Sequence, residues 1–278
     1  QLFSLINLLK LNTKKIDSYA FSHCYGVTGI NINFNHFSTP PADPQIIGQG
    51  AFEFCNGTIT QFKITASTDT NDLHPKVDIG RRAFYGSGIA CELVIHRFVQ
   101  NIHEYAFANC LGLSNQRITI YAHKIHPFAF ADCNELKGGI TTFSDEIQFH
   151  SFDNTIIGPL TIDIKAIEPL AKVDVQTEAF YAIQFTGKVI IKEKVVVSDS
   201  AFSYAKFDDD IIIDAESLGH AAFSPCHSSS QPNNIITLSI GNTKIGPNAF
   251  EYFGKDDQTI ELKFHSLDSD SKEIGNYA

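Results

Sequence analysis

The chain holds eleven histidines and six cysteines, and their spacing decides which chemistry is open to them. His123 and His126 form an H-x-x-H, and His220, Cys226 and His227 lie close together. A zinc site needs about four convergent ligands, and the H-x-x-H supplies two, in a stretch where helical i/i+3 pairing is not assured. Cys226 beside His227 has the composition of a nucleophile and its base. Asp208-Asp209-Asp210 and Asp268-Ser269-Asp270 offer oxygens of the kind Ca²⁺ takes six to eight of. Neither has EF-hand spacing, and both read as solvated turns. No G-x-S-x-G, H-E-x-x-H, phosphate-binding loop or dinucleotide fingerprint occurs. The expectation is therefore no catalytic residue, no cofactor and no metal. Asn56-Gly57-Thr58 is the one N-glycosylation sequon, which makes Asn56 a candidate glycan carrier on an outer turn.

The elements that would position these residues follow from a repeat. Ten times a branched aliphatic is followed five residues later by phenylalanine with a small residue before it: Ile16/Phe21, Ile47/Phe52, Ile79/Phe84, Ile102/Phe107, Ile125/Phe130, Ile147/Phe152, Val175/Phe180, Val197/Phe202, Leu218/Phe223 and Ile245/Phe250. The small residue is Ala except at Ser151. Successive phenylalanines are 31, 32, 23, 23, 22, 28, 22, 21 and 27 residues apart, a period that means a solenoid. The ten phenylalanines are the expected structural core, on short 3₁₀ or α turns opposite a sheet. Cys24, Cys55, Cys110, Cys133 and Cys226 each stand three residues after a repeat phenylalanine. Equivalent positions elsewhere hold Ser87, Thr155, Ile183, Ala205 and Phe253, so the slot reads as buried and apolar rather than reactive. That reading also absorbs Cys226. Cys91 is the one cysteine out of register and the best placed for any disulfide.

After each phenylalanine comes a β-branched run with period two, such as Ile118-Thr119-Ile120 or Leu160-Thr161-Ile162. Such runs are half-buried strands, and about eleven of them stacked in parallel make a concave sheet on a right-handed solenoid about 50 Å long. Their outward residues are the first candidate binding face. One line runs Lys10, Asn31, Lys63, Val94, Thr119, Thr161, Ile190, Ile212, Ser239 and Glu261; a second runs His96, Tyr121, Asp163, Lys192, Asp214 and Lys263. The face is mixed in charge and suits a polar or protein partner better than a lipid or polyanion. Lys63, His96, Tyr121, Asp163, Lys192, Asp214 and Lys263 are its candidate binding residues. The inserted loops 33–45 and 65–78 belong to adjacent repeats and project from one edge as a second candidate. A third insertion, 224–234, lies on the opposite edge.

Hydrophobic residues make up 43% of the 278 and the net charge is −10. No Lys/Arg cluster suited to phosphates occurs, so nucleic acid is not an expected partner. No apolar run approaches the length of a membrane span. Residues 1–278 read as a single solenoid domain of about ten repeats. Its pattern is cut at both ends, with Leu9 to Ile16 paralleling Leu238 to Ile245 and Ile274-Gly275-Asn276-Tyr277-Ala278 opening another repeat. The native protein is expected to continue past Ala278.

The motif Ile-Gly-x-x-Ala-Phe-x-x-Cys followed by a β-branched strand, best seen at Ile102 to Cys110 and Ile16 to Cys24, resembles the BspA-like, or Treponema-type, leucine-rich-repeat family. The resemblance covers essentially the whole chain. Repeats of 21 to 32 residues and the missing proline after the strand make it look like a diverged eukaryotic member. What the resemblance implies is a leucine-rich-repeat-type solenoid in a secreted or cell-surface protein used for adhesion and recognition. The partner would be a protein or a glycan. Self-association of repeats end to end into filaments or matrix is the alternative. A non-catalytic subunit carrying an enzyme partner is a second, since secreted arthropod leucine-rich-repeat proteins of that sort look similar.

Overall fold

Three-residue runs with an outward residue between two buried ones fix where the chain forms strands. In Leu93–Ile95, Ile118–Ile120, Ile140–Thr142, Leu160–Ile162, Val189–Ile191 and Ile211–Ile213 the flanking residues are buried and the central one is half-exposed. The structure, a computed structural model, describes residues 7–34, 45–66, 76–163, 172–228, 236–241, 243–254, 260–264 and 276. The central residues of the two inserted loops, 35–44 and 67–75, lie outside the described residues, as does Asp268-Ser269-Asp270.

Among the described residues all strand pairs are parallel, and the chain winds into a β-solenoid with almost no helix. The six strands above, with Ile236–Ile240 and Ile260–Phe264, make an eight-stranded sheet. Leu8–Asn12, Gly29–Phe34 and Gln61–Ala66 make a separate three-stranded one. The expected eleven-strand face is thus present in two pieces: no ladder joins Gln61–Ala66 to Leu93–Ile95, and near this break the sheet is represented by the isolated bridge Ile59–Ile89, while the same coils stay joined through the pairing of Gln45–Ile47 with Val77–Ile79.

A second face was not anticipated. The branched aliphatic of each repeat, with the residue before it, forms a strand of two to four residues, as in Lys124–Ile125 and Val173–Val175. Ten of these pair in register into the longest sheet among the described residues. A third face of five strands runs from Asn134–Leu136 through Thr155–Ile157, Gln184–Phe185 and Lys206–Phe207 to His227–Ser228.

Between the faces the ten phenylalanines form one continuous column. Neighbouring rings lie 4.6–5.4 Å apart with interplanar angles of 3–18°. That is the spacing of parallel strands and an arrangement aromatic pairs favour. Phe52 through Phe223 are fully buried, and Phe21 and Phe250 at the two ends are partly so. The preceding small residue is fully buried from Ala51 through Ala249, because the coils approach too closely there for a larger side chain.

The Ala-Phe segments are not helical turns. Most have a left-handed residue two positions before and two positions after the phenylalanine: Tyr19 and His23, Gly50 and Phe54, Arg82 and Gly86, Tyr105 and Asn109. Left-handed backbone costs a non-glycine residue about 1–2 kcal/mol. Hydrogen bonding offsets it. The N–H groups of Tyr19, Phe21 and His23 donate to Gln49, Ala51 and Glu53 of the next coil at 2.9, 2.8 and 2.8 Å. The alternate N–H groups of Ala20 and Ser22 close local turns onto Asp17 and Tyr19. No helix geometry would send every second N–H to a neighbouring coil. The one 3₁₀ helix among the described residues is Leu111–Asn115.

The cysteine slot has more chemistry than its burial suggested. The thiols of Cys55, Cys110, Cys133 and Cys226 donate to the carbonyls of Phe21, Phe84, Phe107 and Phe202 of the preceding coil at 3.0–3.1 Å. The Thr155 hydroxyl does the same to Phe130 at 3.1 Å. The slot therefore favours a small side chain with a donor, which Cys, Ser and Thr share. All six cysteines are free thiols.

Candidate interaction surfaces

The strand register decides which outward residues share a row. Val94, Thr119, Thr141, Thr161, Ile190, Ile212 and Ser239 are successive partners along the centre of the eight-stranded sheet. The next residue of that row is Lys263, which pairs with Ser239, while Glu261 pairs with Thr237. Lys263 thus leaves the row in which alternation had placed it and joins the central one. There its ammonium lies 3.0 Å from the Glu261 carboxylate. Lys63 is exposed and pairs with Asn31 in the three-stranded sheet.

The residues following these strands form a second row, held by backbone bonds one coil apart. Tyr121 donates to Ile95, Phe143 to Ile120, Asp163 to Thr142, Lys192 to Ile162 and Asp214 to Ile191, all at 2.8–3.0 Å. His96 begins the row, with its ring 5.7 Å from that of Phe98. Tyr121 and Phe143 stack at 4.7 Å and 4°. Phe143 follows the strand Ile140–Thr142 and so joins this row, a place that alternation within the run does not reveal. Of the seven candidate binding residues, the structure thus aligns His96, Tyr121, Asp163, Lys192 and Asp214, and sets Lys63 and Lys263 in other rows.

The ten-stranded face carries a polar ladder that sequence reasoning overlooked. Asp78, Asn101, Lys124, Glu146 and Asp174 are in register. Asn101 donates its amide to Asp78 at 2.8 Å, and His126 Nε2 reaches Asn101 Oδ1 at 3.2 Å. Lys124 lies 2.7 Å from Glu146, which also accepts from the amides of Gln148 and Gln176 at 2.7 and 2.6 Å. His103 stacks on His126 at 4.7 Å. Burial pushes the His126 pKa down, and the neighbouring His103 adds to this. Burial alone would raise the carboxyls of Asp78 and Glu146, but their hydrogen bonds, to His103 and Asn101 and to Lys124 and Gln148, bring both below their ordinary value. The signal was available: the residue before the branched aliphatic is polar in eight of the ten repeats.

The pairs that suggested catalysis or metal binding come apart. His123 pairs with Asp145 at 2.5 Å while His126 turns to Asn101. Cys226 donates to Phe202, and burial pushes its thiol far up. Asp208 accepts from Gln184, Asp209 from the Asp210 N–H, and Asp210 from the Thr237 N–H. No group of three or more His, Cys, Asp or Glu converges as a metal site among the described residues. No helix among them is long and apolar enough to cross a membrane. Asn56 is exposed on the turn after Cys55. On the five-stranded face a polar cleft of about 580 Å³ is lined by residues that include Asn134, Glu135, Asn154, Gln184 and Lys206.

Comparison with known proteins found the family described as BspA type leucine rich repeat region, matching in six copies over residues 3–74, 45–171 and 163–278. No curated protein and no solved structure gave a match. With these matches running nearly end to end over a solenoid of parallel coils, the chain belongs to the BspA-type leucine-rich-repeat family.

Proposed function

We propose that this chain is a non-enzymatic recognition or adhesion module of an extracellular or cell-surface protein, with the outward strand face, its three- and eight-stranded parts together, as its main binding surface. The family consists generally of protein-interaction modules, and that is the coarse ground for the reading. The observation that carries it further is the row His96, Tyr121, Phe143, Asp163, Lys192 and Asp214, one side chain per coil on a backbone ladder. A solenoid sheet of this kind offers an extended surface whose chemistry is set residue by residue. An aromatic pair beside alternating acid and base suits a folded protein partner with a patterned surface. The exposed Asn56 sequon supports a secretory route. Glycan on Asn56 in native material would agree with it, and an unglycosylated cytosolic protein would contradict it.

The test is an immobilised chain probed with an array of purified extracellular proteins, followed by the variant Lys63→Glu/Lys192→Glu/Lys263→Glu. A saturable ligand weakened by the variant supports the reading. Ligands bound equally well by the variant remove the strand face from it. End-to-end assembly is a second reading. It rests on the parallel pairing by which each coil seats on the next within the described residues. A concentration-dependent sedimentation coefficient would support assembly, and a constant monomer value would end that reading.

A further inference from the structure

Tyrosine is concentrated on the edge formed by the Ala-Phe turns. Of the nine tyrosines, Tyr19, Tyr85, Tyr105, Tyr181, Tyr204 and Tyr252 lie within two residues of a ladder phenylalanine. Their rings lie outside the core, and Tyr19, Tyr204 and Tyr252 are half or more exposed. From Tyr105 the aromatic rings touch coil to coil: Tyr105–Phe128 at 5.1 Å, Phe128–His150 at 5.6 Å, His150–Tyr181 at 5.6 Å and Tyr181–Tyr204 at 5.3 Å. The first two contacts are near-parallel stacks, with planes 6° and 21° apart. Beyond His150 the planes are tilted by 49° and 59°. Phe149 stands at 86° and 85° to Phe128 and His150 and is 46% exposed. The rings at this end do not cover one another's faces.

The charge on the same stretch is one-sided. The turns around Phe107, Phe130, Phe152, Phe180 and Phe202 carry Glu104, Asp132, Asp153, Glu178 and Asp199 and neither Lys nor Arg. His150 is the shared partner of two of these acids, at 3.1 Å from Asp153 and 3.4 Å from Glu178. Both carboxylates still expose 40% or more of their side chains. Beside them is a shallow pocket of about 330 Å³ lined by Phe149, Gln176, Thr177, Glu178 and Ser198.

The chain itself shows what such a constellation holds. Four coils earlier the Arg82 guanidinium sits 4.1 Å over the Tyr85 ring and pairs with Glu53. Counting from the ladder phenylalanines, Glu53 corresponds to Asp153 and Tyr85 to Tyr181, but Arg82 corresponds to Glu178. The acid and the ring are kept while the arginine is replaced by a second acid. We propose that the turn edge around Phe149, Asp153, Glu178 and Tyr181 is a docking site for an arginine-bearing segment of a protein partner. Its guanidinium takes the place that Arg82 occupies in the earlier coil. Arginine fits better than lysine because the planar guanidinium stacks on a ring while pairing with a carboxylate. This inference rests on the reading of the chain as a protein-interaction module but uses a different surface.

The experiment is fluorescence anisotropy with the full chain and three labelled peptides, alternating Arg-Ser, Lys-Ser and Glu-Ser of equal length. The Arg-Ser peptide is expected to bind roughly fivefold or more tighter than Lys-Ser, with affinity falling as salt rises. Tyr181→Ala should erase most of the Arg/Lys preference, and Asp153→Asn/Glu178→Gln should weaken both cationic peptides. These residues are on the surface, so unchanged melting curves should accompany the losses. Equal binding of Arg-Ser and Lys-Ser, insensitive to Tyr181→Ala, would reduce the effect to the net charge and overturn the proposal. Competition by a neutral oligosaccharide would overturn it in favour of a glycan site. The triple reversal on the strand face should leave peptide affinity unchanged. Loss of peptide binding alongside an intact strand-face partner would sink this inference alone.

Discussion

Replacing Phe130 by alanine tests the column at its centre. Phe130 is fully buried and its ring lies 5.2 Å from Phe107 and 5.4 Å from Phe152. Phe→Ala in a close-packed core costs about 3–5 kcal/mol. With two stacked partners, each worth about 0.5–1.5 kcal/mol beyond area burial, Phe130→Ala belongs near the upper end. Phe21 is partly buried and stacks only on Phe52 within the column, so Phe21→Ala is expected to cost about half as much. Phe130→Leu keeps most of the apolar volume but loses the stacking, and about 1–2 kcal/mol is expected. At roughly 2–4 °C per kcal/mol for a chain of this class, a cost of about 4–5 kcal/mol for Phe130→Ala should lower the melting midpoint by about 8–20 °C. Because coils contact mainly their neighbours, a break at the centre also uncouples the two halves, and the transition should broaden. Far-UV circular dichroism on heating and in urea reads both effects. A cost for Phe130→Ala below about 1 kcal/mol, or no greater than that of Phe21→Ala, would refute the argument that the column is the spine.

Two further outcomes follow from buried chemistry. Burial pushes the thiols of Cys55 and Cys110 up to about 12 and that of Cys133 well above its ordinary value, so iodoacetamide at pH 8 should label the half-buried Cys24 and Cys91 and spare the rest until unfolding. Cys133→Ser should cost about 1 kcal/mol or less, since a hydroxyl can donate to Phe107 as the thiol does, and Cys133→Val should cost more; urea midpoints in the reverse order would contradict the donor role. His126 has its pKa lowered in the folded state, so the unfolded chain binds the proton more readily and stability rises with pH through this window. The contribution is complete above about pH 6.5 and declines as pH falls below it, whereas Asp78 and Glu146, lowered in the fold, lose theirs only as pH drops below about 4. His126→Gln should flatten the stability curve between about pH 5 and 7 and leave the acid limb in place; an unchanged slope there would exclude His126 as its source.

How much could be read from sequence follows from how narrowly each position is constrained. The column positions accept only phenylalanine, and the position before accepts Ala or Ser, so the period was plain and the solenoid followed. The eight-stranded face was legible because buried and outward residues alternate in runs like Leu160–Ile162. The ten-stranded face was legible only by comparing repeats, through the polar residue before the branched aliphatic, since a pair such as Lys124–Ile125 is too short to show alternation by itself. Least legible was the turn edge. Its left-handed positions are filled by Tyr, Arg, Phe, Glu, Ser and Ala as well as by Gly50, Gly86 and Asn109. Coil-to-coil hydrogen bonds, not residue preference, hold those conformations. The neighbours Phe149, Glu178 and Tyr181 therefore looked unrelated until the winding brought them to one edge. Lys263 moved rows because the strand pairing Ile240 with Phe264 is set by contacts across coils, and alternation alone does not count them.

In the function proposed above, the column builds a rigid scaffold and the outward rows do the recognising. Saturation binding of an array-identified protein ligand to the wild-type chain and to Lys63→Glu/Lys192→Glu/Lys263→Glu, with a melting curve for each, tests it most directly. A loss of affinity of about tenfold or more, equal to about 1.4 kcal/mol, is expected. The melting midpoint should stay within about 2 °C, as exposed substitutions change stability by only about 0.5 kcal/mol. Equal affinity in both chains, or a loss of binding that merely tracks a fall in melting temperature, would contradict it.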